Sequence, residues 1–492
     1  MLIRFSFIRT MLFSIRMMVM PSGRALNTGV RTSKAFVKRS GRRFYSKKTT
    51  HSQRGKRAVA LLPDYLADAR TVVKYSKNTP DGALQLGVAE NEMLEDLLVP
   101  SLTKFAMSNG FTADCIYYQP THGRFELRDA FCKYLQRLLN LSTDLNREAL
   151  IMGAGCNAVL ENLCITLAAP GEGVLIPTPY YAAFEFDLVA RAGLSIIPVN
   201  TLDESGVDIC GDNIPKEAYY PTKSSLNKSL AIARQQGKSP RILLLSHPNN
   251  PLGICYPSNI IQDCIDWCRK NRIHLVSDEI YAGSVYRSND FQSTLKLAGP
   301  GKLGPYIHFV YALSKDFGLS GLRVGACYSE NSEIRLGLHK LNDLCQISSQ
   351  TQTLVETMVS DVTAEGVFWT SSFLKENTVR ICSRSDAIQA LLSEFDIPFL
   401  SADSGLFVWI NFSRYLPKLK LGEVDSDLKT KKRRERELYL ELMNKWGLLF
   451  TPGLSMRHEK AGFFRCVFTA ATDEEFEIAQ VRLRKFAEAK NF

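Results

Sequence analysis

The sequence predicts an α/β fold, with a large domain on a central, mostly parallel sheet and a smaller α+β C-terminal lobe. Three observations predict it. Short apolar runs alternate with helical patterns through the middle of the chain, the order that lays helices on both faces of a parallel sheet. After about residue 368 helices and strands alternate in the manner of a separate α+β unit. A chain of 492 residues can also bury a core large enough for both.

The elements follow in order. Residues 59–110, assigned to the small lobe, contain a segment apolar at helical spacing over 94–109. A clearer amphipathic helix covers 125–140 (FELRDAFCKYLQRLLN). The runs 173–177 (GVLIP) and 242–246 (ILLLS) are short and wholly apolar, as buried strands are. A helix over 257–270 leads into a strand at 273–279 (IHLVSDE), and 307–313 (IHFVYAL) gives another. These define a large domain over 111–367. In the lobe at 368–492, a helix at 384–395 precedes a strand at 404–410 (SGLFVWI). The charged run at 418–437 reads as a solvated loop and the start of a helix ending near Trp446. A strand at 464–469 (FRCVFT) and a helix over 473–488 complete the lobe.

The formal charge of +11 is confined to one end of the chain. Residues 1–58 hold fifteen Lys or Arg and no acid, which leaves the remainder at −4. A folded reader of phosphates carries its positive field on the body, so nucleic-acid binding is not expected. The leader is rich in Arg, Ser and large apolar residues, a composition suited to a mitochondrial transit peptide, and Arg43-Phe44-Tyr45-Ser46 resembles an arginine-led cleavage site. Mitochondrial import is therefore expected. The alternatives are a disordered basic tail or a little-used upstream start, either of which leaves the body cytoplasmic. Arginines at 4, 9 and 16 interrupt the apolar stretches, so no transmembrane segment is expected. Twelve cysteines without a C-x-x-C pair read as reduced thiols, with Cys264 and Cys268 as core packing on one helix face. Seven isolated histidines offer no metal site.

The most informative segment runs from Ser314 to Gly325. Lys315 follows a buried strand, a glycine-bearing turn comes next, and Arg323 lies eight residues on. Such a turn can bring an amine suited to an aldehyde and a guanidinium suited to a phosphate to one concave site. Asp278 ends another strand and can face a protonated ring nitrogen. Tyr281, three residues later, and Asn250, in the HPNNPLG turn, can donate to a ring oxygen.

Seven segments in order carry a family resemblance. They are LGVAENEML at 86–94, YYQPTHG at 117–123, IPTPYY at 176–181, SHPNNPLG at 246–253, SDEIYAGSVY at 277–286, LSKDFGLSGLRVG at 313–325 and SGLFVWI at 404–410. Over roughly 70–490 the chain resembles the class I/II aminotransferases, which are fold-type I pyridoxal-phosphate enzymes, and most of all the 1-aminocyclopropane-1-carboxylate synthase-like proteins among them. The resemblance implies pyridoxal 5'-phosphate as cofactor, an amino acid as substrate and a homodimer. It implies that Lys315 forms the imine with the cofactor and then acts as the base at the substrate α-carbon. Asp278 would pair with the ring nitrogen, while Asn250 and Tyr281 would tune the ring oxygen. Tyr181 would stack on the ring, with Tyr180 as the alternative. The turn Gly155-Cys156-Asn157, at a helix start, would cradle the phosphate together with Ser314 and Arg323. Arg465 would clamp the substrate α-carboxylate, and Glu90 matches an acid that the synthases keep near the substrate.

Two positions depart from the pattern. Ala312 stands where a phosphate-binding serine is common, a loss of about 0.5–1.5 kcal/mol of cofactor binding by the usual net worth of a hydrogen bond. Thr121 stands where the synthases have a tyrosine that reaches the neighbouring subunit; Tyr117 and Tyr118 are the nearby substitutes. The resemblance implies chemistry through an external aldimine and a quinonoid. Aminotransfer is the main expectation; 1-aminocyclopropane-1-carboxylate synthesis and carbon–sulfur lysis are the alternatives. A fold retained only for binding or assembly is the non-enzymatic reading, and the retained Lys315, Asp278, Asn250, Arg323 and Arg465 weigh against it.

Overall fold

The computed structural model describes residues 52–61, 64–202, 214–288 and 290–490. Residues 1–51, most of the expected leader, lie outside the described residues. The strands in chain order are β1 (Leu84–Gln85), β2 (Leu150–Gly153), β3 (Gly173–Pro177), β4 (Ser195–Val199), β5 (Pro240–Ser246), β6 (His274–Asp278), β7 (Ile307–Ala312), β8 (Gly325–Ser329), β9 (Phe399–Leu400), β10 (Phe407–Asn411), β11 (Leu448–Leu449), β12 (Thr451–Pro452) and β13 (Phe463–Val467).

Strands β2 to β8 form one seven-stranded sheet in the order β2-β8-β7-β6-β5-β3-β4. Its pairs are parallel except those made by β8, which is antiparallel to β2 and β7. Every residue of β6 and β7 is buried, as a parallel sheet covered on both faces requires. Separate apolar clusters pack on the two faces, one including Val276 and Val310 and the other Leu275 and Phe309. The expected α/β sheet is therefore present. Strands β9, β10, β12 and β13 form a second, antiparallel sheet, and β1 pairs with β11 in a two-stranded one.

Several elements differ from expectation. Strands β2, β4 and β8 had no clear signal; β8 reads GACYS and lacks the branched residues that mark strands. The helix expected over 384–395 is the end of one running Trp369–Glu394. Its inner face buries Asn377, Arg384 and Ser385 among the apolar residues, which blurs the hydrophobic period. The strand expected from residue 404 begins at Phe407, because Ser404 and Gly405 form the approach and Gly405 has φ +73°. The charged run does match expectation: it passes from a loop into the helix Leu428–Lys445, where Arg433 pairs with Glu423 and Glu437. Among the described residues no helix is long and apolar enough to cross a membrane.

Candidate active site

In an open parallel sheet the loops beyond the C-terminal strand ends enclose a crevice. Here they bring most of the predicted residues to one cavity of about 350 Å³. Ser246 and Asp278 end the paired strands β5 and β6 in register. Lys315 follows β7 on a single helical turn, Leu313–Asp316, and Arg323 precedes the antiparallel β8. The turn Gly155-Cys156-Asn157 follows β2, and Tyr181 follows β3. The alternation of buried strand and polar tip is thus the local reason for the site.

Lys315 lines the cavity and donates to the Ala89 carbonyl at 2.5 Å. Burial, followed by the nearby Arg465 charge, lowers its pKa to about 8. Part of the amine is then uncharged near neutrality. Asp278 is only 5% exposed, and burial pushes its carboxyl up to about 7. Its Oδ1 accepts the Ile280 N–H at 3.3 Å and the Cys156 S–H at 3.8 Å.

Gly155 has φ +90°, and a Cβ there would overlap the Arg323 guanidinium. Only glycine lets that guanidinium lie against the start of the helix Cys156–Leu167. The two together make a cationic, N–H-rich turn suited to a phosphate. The Asn157 side chain donates to Asp187 at 2.7 Å, so its backbone rather than its amide belongs to the cradle. Ser314 lines the cavity beside them.

Arg465, on β13, is buried at 2% exposure. It donates to Asn250 Oδ1 at 2.7 Å, to the Gly87 carbonyl at 2.6 Å and to Thr451 Oγ1 at 3.3 Å, while its Nε has no partner. Three bonds hold the guanidinium before any ligand arrives, and the engaged Asn250 oxygen leaves the Asn250 amide N–H as donor. Tyr281 is buried against Phe407 with ring centroids 5.4 Å apart, and burial raises its phenol pKa. Of the tyrosine pair, Tyr181 lines the cavity, whereas Tyr180 donates to Glu185 at 2.6 Å. Glu90 also lines the cavity. Thr121 lies apart from these residues and donates to the His339 carbonyl at 3.1 Å. Ala312 is fully buried at the end of β7.

Sequence reasoning missed part of the wall. Tyr65, Leu66 and Ala69 reach the cavity from the helix Asp64–Thr71. Eight residues with a weak apolar stripe gave no signal. Asp187 also lines the cavity, with its carboxyl pushed up to about 6 by burial. One of two acids in the short helix Phe184–Val189, it carried no functional mark in the sequence.

The geometry and the relatives of the chain agree. The chain belongs to the family described as aminotransferase class I and II, whose sequence model matches residues 83–483. It is 30% identical over 429 residues to 1-aminocyclopropane-1-carboxylate synthase 5 of Oryza sativa subsp. japonica, covering 85% of this chain and 75% of that one. It is likewise 30% identical over 433 residues to synthase 11 of Arabidopsis thaliana, covering 85% and 88%. In fold it is similar to the aromatic aminotransferase from Pyrococcus horikoshii, with a TM-score of 0.67, 18% identity, and 89% and 99% of the two chains covered. A single mutant of Thermus thermophilus aspartate aminotransferase gives 0.65 at 19% identity with the same coverage. These likenesses establish the fold-type I architecture. Family and fold imply pyridoxal 5'-phosphate, and the residues present fit it: a partly neutral lysine, a glycine-arginine cradle and a buried carboxylate in the same cavity, suited to a protonated ring nitrogen.

Proposed function

We propose that this chain is a pyridoxal-phosphate-dependent enzyme acting at the α-carbon of an amino acid, and in the first place an aminotransferase. The observation that carries the reading is the placement of Lys315, Asp278 and Arg465 in one cavity. Bound there, pyridoxal phosphate would supply the electron sink that makes an amino-acid α-proton removable. Gly155, Cys156 and Asn157 would hold its phosphate through backbone N–H groups, with Ser314 and Arg323 beside them. Asp278 would keep a proton on the ring nitrogen, Asn250 and Tyr281 would donate to the ring oxygen, and Tyr181 would cover the ring. Arg465 would clamp the substrate α-carboxylate. Lys315, with a pKa lowered to about 8, is poised to take the α-proton and to deliver it elsewhere.

The second reading is 1-aminocyclopropane-1-carboxylate synthase or carbon–sulfur lyase activity, favoured by the synthases among the relatives and by Glu90 in the cavity wall. The deciding experiment titrates the cofactor-loaded protein with an amino-acid panel, S-adenosylmethionine and cysteine conjugates, with products identified by mass. Pyridoxamine phosphate and a keto acid are expected. Failure across a broad panel would sink the aminotransferase reading, and cofactor returned unchanged with a cyclised product or a released thiol would establish the second.

The assembly proposed is a homodimer. Met107, Phe111, Ile116, Tyr117 and Tyr118 are between 67% and 100% exposed along one short stretch, an apolar surface suited to a second copy. A sedimentation mass equal to one chain would refute it. The acid-free leader supports mitochondrial residence, with a cytoplasmic location as the alternative. Fractionation of cells carrying the tagged full chain separates the two.

A further inference from the structure

Asp316 follows Lys315 directly and is fully buried outside the cavity lining. Its carboxylate accepts three hydrogen bonds. Oδ2 takes the Gly283 N–H at 2.6 Å and the Tyr311 O–H at 2.8 Å, and Oδ1 takes the Ser284 O–H at 2.6 Å. Tyr311 is in turn bonded to the Tyr134 hydroxyl at 2.8 Å. Gly283 and Ser284 belong to the turn that carries Tyr281, which the Ser284 N–H closes onto the Tyr281 carbonyl at 2.9 Å. A Cβ on Gly283 would stand 2.8 Å from Asp316 Oδ2, so the absence of a side chain there permits the contact.

The backbone of Asp316 has a second set of partners. Its carbonyl accepts from Asn377 at 2.9 Å, and the Asn377 oxygen accepts from Asn91 at 2.9 Å. Asn91 adjoins Glu90 and lies two residues from Ala89, the acceptor for the Lys315 amine. Three segments distant in sequence, each bearing a residue of the cavity, thus meet at one aspartate.

We infer that Asp316 is a positioning residue of this site, whose carboxylate fixes the Lys315 turn to the Tyr281–Ser284 turn so that amine and phenol meet the same ligand. The inference rests on the pyridoxal-phosphate reading above. It gives Asp316 no contact with cofactor or substrate; its effect on the titration runs through Tyr281. A phenol donating to the ring oxygen lowers the basicity of that oxygen and of the nitrogen that shares its proton. Loosening Tyr281 raises both.

The test is a pH titration of the visible absorbance of the full-length, lysine-bound holoprotein, with the thermal midpoint recorded beside it. Asp316→Asn keeps the shape but replaces one acceptor oxygen with an N–H donor, and it is expected to raise the titration midpoint by about 0.5–1 unit, the worth of one hydrogen bond. Tyr281→Phe raises the midpoint alone, and adding Asp316→Asn to it is expected to produce little further shift. A folded Asp316→Asn protein with an unmoved midpoint, or a shift that adds in full to that of Tyr281→Phe, would overturn the inference. Should Asp316→Asn fail to fold, Ser284→Ala removes one donor from the same carboxylate and is judged by the same two criteria. A wild-type protein that gains no visible band with pyridoxal phosphate would instead overturn the cofactor reading beneath it.

Discussion

Replacing Asp278 with Asn should stabilise the cofactor-free protein at alkaline pH while weakening its hold on the cofactor. Burial raises this carboxyl from its ordinary 3.8 to about 7, so between those values the folded chain keeps a proton that the unfolded chain has released. Wild-type stability therefore falls with rising pH through this window by up to about 1.4 kcal/mol per unit relative to a variant without the titration. Over the whole window the cost reaches about 4 kcal/mol as an upper bound, and water in an open cavity reduces it to about 2–4 kcal/mol. Asn keeps an oxygen for the Ile280 N–H and the Cys156 thiol, so little else changes. Glu279, Asp316 and Glu435 are also raised by burial, but both proteins carry them and their contributions cancel in the difference. Denaturant midpoints of the two cofactor-free proteins at pH 4, 6 and 8 measure the effect. They should coincide at pH 4, diverge by pH 6, and leave the variant clearly more stable at pH 8. With the cofactor loaded the order should reverse, because the ring nitrogen supplies the missing cation. Equal midpoints for the cofactor-free pair at pH 8 would refute the claim that this carboxylate is held ready at a cost in stability.

Two further substitutions probe the clamp and the cradle. Arg465→Lys keeps the charge but loses the planar fork, and it should lower kcat/KM for amino acids about 10–150-fold, the worth of one charge-assisted hydrogen bond, with the visible cofactor band intact. Steady-state kinetics beside an absorbance spectrum check this; loss of the band would instead place Arg465 in cofactor binding. Gly155→Ala puts a Cβ at φ +90° into the Arg323 guanidinium and should weaken pyridoxal phosphate about 5–30-fold, measured by titrating the cofactor-free protein.

The middle of the large sheet, β3, β5, β6 and β7, was legible because these strands are short, largely apolar runs that stop at polar or turn-forming letters, whereas β2, β4 and β8 were not. The pattern of ILLLS before HPNN, or IHLVS before DE, states both that the strand is buried and where it stops. The site was legible for the same reason, since Lys315, Asp278, Asn250 and Tyr181 sit on or just beyond those stops. What escaped the sequence lacks such a boundary. The helix Asp64–Thr71 contributes three wall residues from eight, too few to show a period, and the long helix Trp369–Glu394 hides its inner face behind buried Asn377, Arg384 and Ser385.

Asp316 shows a different limit. It lay in plain view within SKDFG, the most informative segment of the chain, yet nothing local distinguishes it from a solvated turn residue. Its donors come from Gly283 and Ser284, 33 and 32 residues away, and from Tyr311 on the preceding strand, and its carbonyl partner lies 61 residues on. Three donors offset part of the cost of burying this carboxylate only when all three arrive together, and that convergence is a property of the folded chain. Residues that touch a ligand are bound to a recognisable chemistry and so to a letter. Residues that hold those letters in register are bound only to one another, which is why the Asp316→Asn and Tyr281→Phe pair, rather than either substitution alone, is the informative measurement.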